Sequence, residues 1–600
     1  MPTWRVPLLA LCAGILLLIL LPLWTVPVLP ASGWTSALHE ARLLADVLRH
    51  GPDAYHARLW VPTPMTAVPY LLALTGPSHL EMALRLLASL ALLSTVLVWW
   101  LWLRNTKRSP WLLVGALPWL VSQPFLQGDI AILLSWPLWF GTLALQIPAM
   151  RRTWLWPLVA LLVTLVALTH PLPWLSLLVL LPLLALLQAG RHGWKNALKW
   201  TLFSLLSSLP SVLLLRPWWL KVLTSMNGWP GMVQAWRQEW WLPGDNFRQL
   251  VDLSLDRLNP HAAQIPEMKQ LFDHHGELVA FAWTTALIVW LAASVRQGRE
   301  NPQNTVKNPQ PIHALVLLSL AYFLLPARIH SPLALPVVGG QLPPLLAILA
   351  VLALPLDPLQ PPLTFRVRTW LATLTLVVVA VALPLLAWQS LLLDATSFGS
   401  LHQAFATIPE GQRVCTLSAR SDVRHVRAGV FDDLGGWSLI LRGGLSNEPA
   451  PNPGLSPLTE EPLGHLPWLP RANDARLKDM APCQYIAVFR DPGVALTEIT
   501  KQFRALPQLY AHDAWEVFQN VRAGPWPPPQ PLTPDEERLN ACFFTMFGLP
   551  PEDMPDEQPQ ALSARLGLDW GPNCLPFTPP ARVPGFPPPV AVPYGPVIRR

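Results

Sequence analysis

The sequence predicts a mainly α-helical, polytopic membrane protein with a small α/β domain after its last span and a proline-rich tail. Three observations predict it. Eleven apolar runs fill the first 395 residues. Charged residues make up only 13% of the 600, against roughly 25% in soluble proteins. The Lys/Arg clusters between the runs fall at every second loop, as the positive-inside rule requires of a chain that weaves through a bilayer.

The first run, Val6–Trp24, follows Arg5 and is long enough to span a bilayer, which takes about 20 apolar residues. A cleaved signal peptide is the alternative, but the apolar stretch is long for one. A polar, partly helical loop occupies 25–64, and the second run, Glu81–Leu103, ends in Arg104, Lys107 and Arg108. Runs three and four, Trp111–Val121 and Ile130–Ile147, turn at Gln127-Gly128-Asp129 and end at Arg151-Arg152. Runs five and six, Trp154–Leu168 and Leu172–Leu187, turn at Thr169-His170-Pro171 and end at Arg191 and Lys195. Run seven, Trp200–Leu215, enters a long loop, 216–276, and run eight, Leu278–Ser294, is followed by Arg296, Arg299 and Lys307. Runs nine and ten, His313–Leu325 and Leu333–Leu354, turn at Arg328-Ile329-His330. Arg366 and Arg368 precede run eleven, Trp370–Leu393.

The N-terminus and the basic loops are therefore expected in the cytoplasm of a cell (inner or plasma) membrane. Loops 25–64 and 216–276, the turns at 129, 170 and 328–330, and everything after residue 395 are expected outside, exterior or periplasmic. The division is a membrane domain over 1–395, an α/β domain over 396–523 and a tail over 524–600. In the second unit Arg413–Ser418, Cys483–Arg490 and Trp515–Phe518 read as buried strands and Glu498–Leu506 as a helix. The glycine-rich stretch from Asp432 to Gly444 lacks the strand–GxGxxG–helix context of a nucleotide site and reads as loops. Many of the 69 prolines sit inside apolar runs, such as Pro118, Pro137, Pro157 and Pro384, and others crowd the tail, with one helix expected over Pro534–Phe547.

Of the five cysteines, Cys12 lies in the first run and reads as a packing residue, while Cys415, Cys483, Cys542 and Cys574 follow the last one. In an oxidising compartment the local closures are Cys415–Cys483 and Cys542–Cys574; four free thiols, or pairing of the tail cysteines with a partner, are the alternatives. The formal net charge of +6 follows from orientation signals and implies no nucleic-acid partner. Tryptophans in 216–276, including Trp218, Trp219, Trp229, Trp236, Trp240 and Trp241, read first as an interfacial belt. Asp273, His274, His275 and Glu277 read as the polar cap of run eight before a metal site.

Ionisable groups at membrane depth are costly and mark functional sites by default. The expected exterior side holds Glu40 and Arg42 on an amphipathic segment after the first run, then Asp129, His170, Arg328 and His330. Each has a plainer use. Glu40 can pair with Arg42, Arg49 or His39, Asp129 can cap run four, and the histidines can be interfacial residues. Arg328 stands in a short exterior loop, where basic residues are disfavoured.

The order of these features resembles the GT-C glycosyltransferase fold, in the branch of protein O-mannosyltransferases and lipid A aminoarabinose transferases. The matching text is His39-Glu40, then Leu48-Arg49-His50-Gly51, then Pro62-Thr63-Pro64-Met65 and Pro69-Tyr70-Leu71-Leu72, then Gln123 to Leu134 around Asp129, then Thr169-His170-Pro171. The family's leading Asp is His39 here, and its Lys-Pro-Pro return to the membrane lacks the Lys and the second adjacent Pro. The resemblance implies an inverting transferase that moves a sugar from a polyprenyl-phosphate donor, held among membrane lipid, to an exterior acceptor. Glu40 and Asp129 would be the catalytic carboxylates. Arg42, His170, Arg328 and His330 would meet the donor phosphate, with a divalent metal as a possible cofactor. The alternative is a non-catalytic integral membrane protein, an envelope-assembly scaffold or a transporter subunit. A transporter should carry more charge inside the membrane than Arg85 and a pair of repeated halves, and no internal repeat is visible.

Overall fold

The structure is a computed structural model. It describes residues 5–51, 57–59, 62–225, 282–293, 309–324, 338–355, 367–418, 434–447, 458–460, 480–489, 503 and 505–523. The helices are α1 (Arg5–Thr25), α2 (Ser32–His50), α3 (Ala67–Ala73), α4 (Leu80–Thr106), α5 (Leu112–Ala116), α6 (Gln123–Gln127), α7 (Ile130–Arg151), α8 (Trp156–Thr169), α9 (Pro171–Leu186), α10 (Ala189–His192), α11 (Trp194–Leu214) and α12 (Arg216–Ser225). They continue with α13 (Ala282–Ala293), α14 (Gln310–Leu324), α15 (Val338–Leu352), α16 (Val367–Ser397), α17 (Leu401–Ala406) and α18 (Gly436–Arg442).

Five helical stretches among the described residues are long and apolar enough to cross a membrane: Val6–Thr25, Pro77–Thr106, Ile130–Arg151, Trp194–Leu214 and Val367–Ala406. Shorter apolar helices fall at the remaining apolar runs, and together they form a multi-pass membrane domain. The third run departs most from expectation. It is α5 followed by a 3-10 turn over Leu117–Leu120 that contains Pro118, because proline lacks the N–H that an α-helical bond needs. Gly115 in α5 lets that short piece sit against Val351 and Trp290.

Large aromatics fill the bundle. Trp99, Trp102, Trp136, Trp139, Trp174 and Trp290 are fully buried, and Phe140 packs edge-on against Trp99 and Trp139 at 5.6 and 4.8 Å between centroids. Trp218 is also fully buried, 4.8 Å from Trp219. The belt reading is therefore wrong for Trp218, which is a packing residue of the bundle. Trp229, Trp236, Trp240 and Trp241 lie outside the described residues. So do Asp273, His274, His275 and Glu277.

The strands are β1 (Ala57–Leu59), β2 (Arg413–Ser418), β3 (Leu445–Ser446), β4 (Leu458–Glu460), β5 (Tyr485–Phe489), β6 (Gln508–His512) and β7 (Trp515–Gln519). Five form one sheet in the order β3-β2-β5-β7-β6. β5 runs parallel to β2 with Val414 beside Tyr485, and antiparallel to β7 with Phe489 beside Trp515. All five residues of β5 are buried, because alternating side chains serve two cores. Ile486 and Val488 join Cys415, Leu417, Phe503 and Phe518 on one face. Tyr485, Ala487 and Phe489 join the cluster that runs on into the helical bundle. The Trp515 indole donates to the Phe398 carbonyl at 2.7 Å, and Phe405 lies edge-on to Trp515 at 5.2 Å. The sheet is thus bolted to the end of the last long helix.

A disulfide joins Cys415 in β2 to Cys483 just before β5, with Cα atoms 5.7 Å apart. Cys12 is buried and free. Cys542 and Cys574, and the helix expected at Pro534–Phe547, lie outside the described residues, as does most of Glu498–Leu506. The glycine-rich stretch is not all loop, as read from sequence. Its second half is α18, whose Trp437, Leu439 and Ile440 are buried. The glycines misled because two of them only bound this short helix.

Candidate functional site

α2 follows the first span after a short bend. Its apolar residues Trp34, Leu38 and Ala41 join the core of the bundle, and Leu43 and Leu44 pack with Ala73 of α3 and Leu439 of α18. The helix ends at Gly51, whose φ of +87° suits glycine. Three ionisable side chains are buried on it: His39 at 1% exposure, Glu40 at 4% and Asp46 at 3%. Such groups are rarely hidden unless paired or used.

Arg42 donates from Nε to Asp46 Oδ2 at 2.8 Å. Arg42 thus pairs with a neighbour one turn on. The terminal guanidinium nitrogens of Arg42 point toward Gly443, where a β-carbon would stand 2.8 Å from Nη2.

Asp129 reaches the site through backbone contact. Gly128 ends α6 with φ +78°, and Asp129 then caps α7, accepting from the Ile132 N–H at 3.1 Å. That cap satisfies one of the orphan donors of the helix end. A β-carbon at Gly128 would stand 2.5 Å from the Trp34 nitrogen, and one at Gly33 would stand 2.5 Å from the Gln127 carbonyl. The start of α2 and the start of α7 therefore touch main chain to main chain. Glu40 lies two turns along α2 from Gly33, roughly 10 Å at 1.5 Å per residue.

His170 caps α9, its Nδ1 accepting from the Leu172 N–H at 3.2 Å. It is 3% exposed, and burial pushes its pKa down to about 3. It is therefore neutral, with its proton on Nε2. Such an imidazole offers a phosphate one hydrogen bond but no positive charge. Arg328 and His330 lie outside the described residues. Among the described residues there is no cluster of three or more metal-ligating side chains.

What the sequence did not disclose is the cover. α18 lies on α2, with Gly436 against His39 and Thr35. β1 of the first loop pairs antiparallel with β4 of the C-terminal region, Arg58 beside Thr459. His402 Nε2 lies 3.0 Å from Glu81 Oε1, tying the segment after α16 to the start of α4. Arg85, one turn on, donates to the carbonyls of Leu23, Val26 and Pro27 at 2.5, 2.9 and 2.8 Å. Arg85 thus closes the C-terminal end of α1, where carbonyls lack helical partners. The first loop and the C-terminal domain share one end of the bundle.

No protein-family model and no curated protein matches the chain. Among solved structures it is similar to ArnT from Cupriavidus metallidurans, in a crystal structure bound to undecaprenyl phosphate. The match has 12% identity and a TM-score of 0.46, and covers 87% of this chain and 100% of that one.

Proposed function

We propose that the chain is a membrane glycosyltransferase that moves a sugar from a polyprenyl-phosphate donor to an acceptor on the outer side of the membrane. The observation that carries this reading is Glu40: a carboxylate 4% exposed, just past a membrane span and half a turn from an arginine. In the proposed step Glu40 takes the proton of the acceptor hydroxyl. The acceptor oxygen forms its bond to the anomeric carbon from the face opposite the lipid phosphate. The bond from that carbon to the phosphate oxygen breaks, and the lipid phosphate leaves with the electron pair. Arg42, whose Nε is already held by Asp46, would meet that phosphate with its terminal nitrogens, a geometry suited to oxyanions. His170 would add at most one neutral hydrogen bond, and Asp129 would act from its capping position.

The test uses the full chain in lipid nanodiscs with a radiolabelled polyprenyl-phosphate sugar and membrane extract as the acceptor source. Wild-type protein is expected to transfer label, and Glu40→Gln to lower transfer about a hundredfold or more, the range of general-base contributions. Binding of undecaprenyl phosphate should persist in Glu40→Gln and weaken in Arg42→Ala. Equal transfer by wild type and Glu40→Gln would overturn the assignment. The second reading, a non-catalytic scaffold, is favoured by the structural uses of Asp129 as a cap and Arg42 as the partner of Asp46. It predicts no transfer by wild-type protein and no effect of Arg42→Ala on lipid-phosphate binding.

A further inference from the structure

We infer that Gly436 and Gly443, the residues that bound α18, are positioning residues that seat the C-terminal domain on α2 and so fix the register of Glu40 and Arg42. The inference rests on the proposed transfer chemistry at those residues.

Gly436 has no conformational need to be glycine, since its φ is not positive. What a side chain would meet there is close packing. A β-carbon there would lie 3.2 Å from His39 Nδ1, 3.4 Å from His39 Cβ and 3.4 Å from Thr35 Cγ2. The main chain of α18 thus rests on α2 directly beside Glu40. At the other end of α18, Gly443 has φ +66°, and a β-carbon would lie 2.8 Å from Arg42 Nη2 and 3.8 Å from Asp46 Oδ2. Two glycines seven residues apart on α18 therefore touch α2 at His39 and at the Arg42–Asp46 pair, the two sides of the candidate site.

The seat is rigid on the domain side. The Gly411 N–H donates to the Arg442 carbonyl at 2.9 Å, and Arg442 Nε donates to the Ile408 carbonyl at 2.5 Å. Both Ser438 and Ser446 hydroxyls donate to the Gly435 carbonyl at 2.8 Å. On the bundle side the same helix is held at Gly33 by the Gln127-Gly128 main chain. Glu40 lies within the stretch of α2 that α18 covers and seven residues past Gly33, so a shift at either seat moves the carboxylate relative to any donor lodged in the bundle. Transfer depends on such placement, because misplacement of about 1 Å costs on the order of a hundredfold in rate.

The experiment uses the full chain in nanodiscs and compares Gly436→Ala, Gly436→Leu and Gly436→Ala combined with His39→Ala. The control is Gly14→Leu, at a glycine with nothing within 4 Å of its β-carbon position. Hydrogen exchange of α2 amides is followed beside transfer rate and undecaprenyl phosphate affinity. Gly436→Leu is expected to speed α2 exchange and lower kcat at least tenfold, with lipid-phosphate affinity within about threefold of wild type. Gly436→Ala is expected to show a smaller loss that His39→Ala eases, since it removes the Nδ1 that the new carbon meets at 3.2 Å. A control-like result for Gly436→Leu would overturn the inference, as would faster α2 exchange with unchanged kcat. Failure of the underlying functional reading looks different: Glu40→Gln would keep full transfer whatever happens at position 436.

Discussion

The two ends of the helical bundle bury polar groups in opposite styles. At the end where α4, α7 and α9 finish, the buried groups described are two amides and one guanidinium, and each serves a neighbouring helix. Gln310 accepts from the Trp102 indole at 3.2 Å and donates to the Leu143 carbonyl at 3.1 Å and the Gln146 side chain at 3.0 Å. Gln146 donates in turn to the Leu181 carbonyl at 2.7 Å. Arg108, 1% exposed, donates to the carbonyls of Ala353 and Leu354 at the end of α15. At the other end the buried groups include His39, Glu40 and Asp46 on α2, which α18 covers, and His170 at the start of α9. Amides that exchange hydrogen bonds between helices specify packing. Titratable groups buried where the chain leaves the membrane are candidates for chemistry. The difference supports placing the proposed transfer at the α2 end.

The largest effect that tests this contrast is in activity. Glu40→Gln should remove transfer about a hundredfold or more while leaving the melting temperature near wild type. Gln310→Leu should do the reverse and keep the transfer rate per folded molecule. If Gln310→Leu abolished transfer in folded protein, the contrast between the ends would be wrong.

Next in size is the disulfide. It closes a loop with a sequence separation of 68, worth about 4 kcal/mol by chain entropy. Replacing Cys415 and Cys483 with alanine should therefore lower the stability of the C-terminal domain by that order. Thermal denaturation read by domain tryptophan fluorescence checks it. A loss confined to the domain sharpens the comparison, whereas simultaneous loss of the bundle would show that the two melt as one.

Gln310→Leu itself should cost about 1–2 kcal/mol, the scale of interhelical hydrogen bonds in membranes. Denaturant titration in micelles measures it. The smallest effect at neutral pH is a pH dependence at His170. Its pKa is pushed down to about 3 by burial, below the ordinary value near 6.5. On acidification the unfolded chain takes the proton first, so stability is full above about pH 6.5 and falls as pH drops toward 3. The slope contributed is at most about 1.4 kcal/mol per pH unit. His170→Asn, which can still cap α9, should flatten the fall in melting temperature between pH 7 and 5. An unchanged slope would show that His170 is not held neutral.

Much of the fold was legible because membrane spans and buried strands carry local signals. The apolar runs needed only their length, and β2 ran over Arg413–Ser418 as its hydrophobicity indicated. β6 was missed because its residues are mostly exposed and give no apolar alternation. The third run was legible as apolar but not in its local form, since apolarity does not report that the helix gives way to a 3-10 turn at Pro118. Trp218 was misplaced because composition cannot say whether a tryptophan at a span end faces lipid headgroups or a neighbouring indole.

The sequence by itself determined that this chain is a many-helix membrane protein with a small α/β domain behind it, and that few ionisable residues stand beside its apolar runs on the expected exterior side. It also singled out Glu40, Arg42, Asp129 and His170, because charge beside apolar runs is rare enough to notice. Only the tertiary structure decided that Arg42 turns to Asp46, that Asp129 and His170 cap helices, and that α18 roofs α2 at Gly436 and Gly443. The physical reason is distance along the chain. His39 and Gly436 are brought together by packing that spans nearly four hundred residues, and no local pattern of propensity or periodicity encodes such a contact.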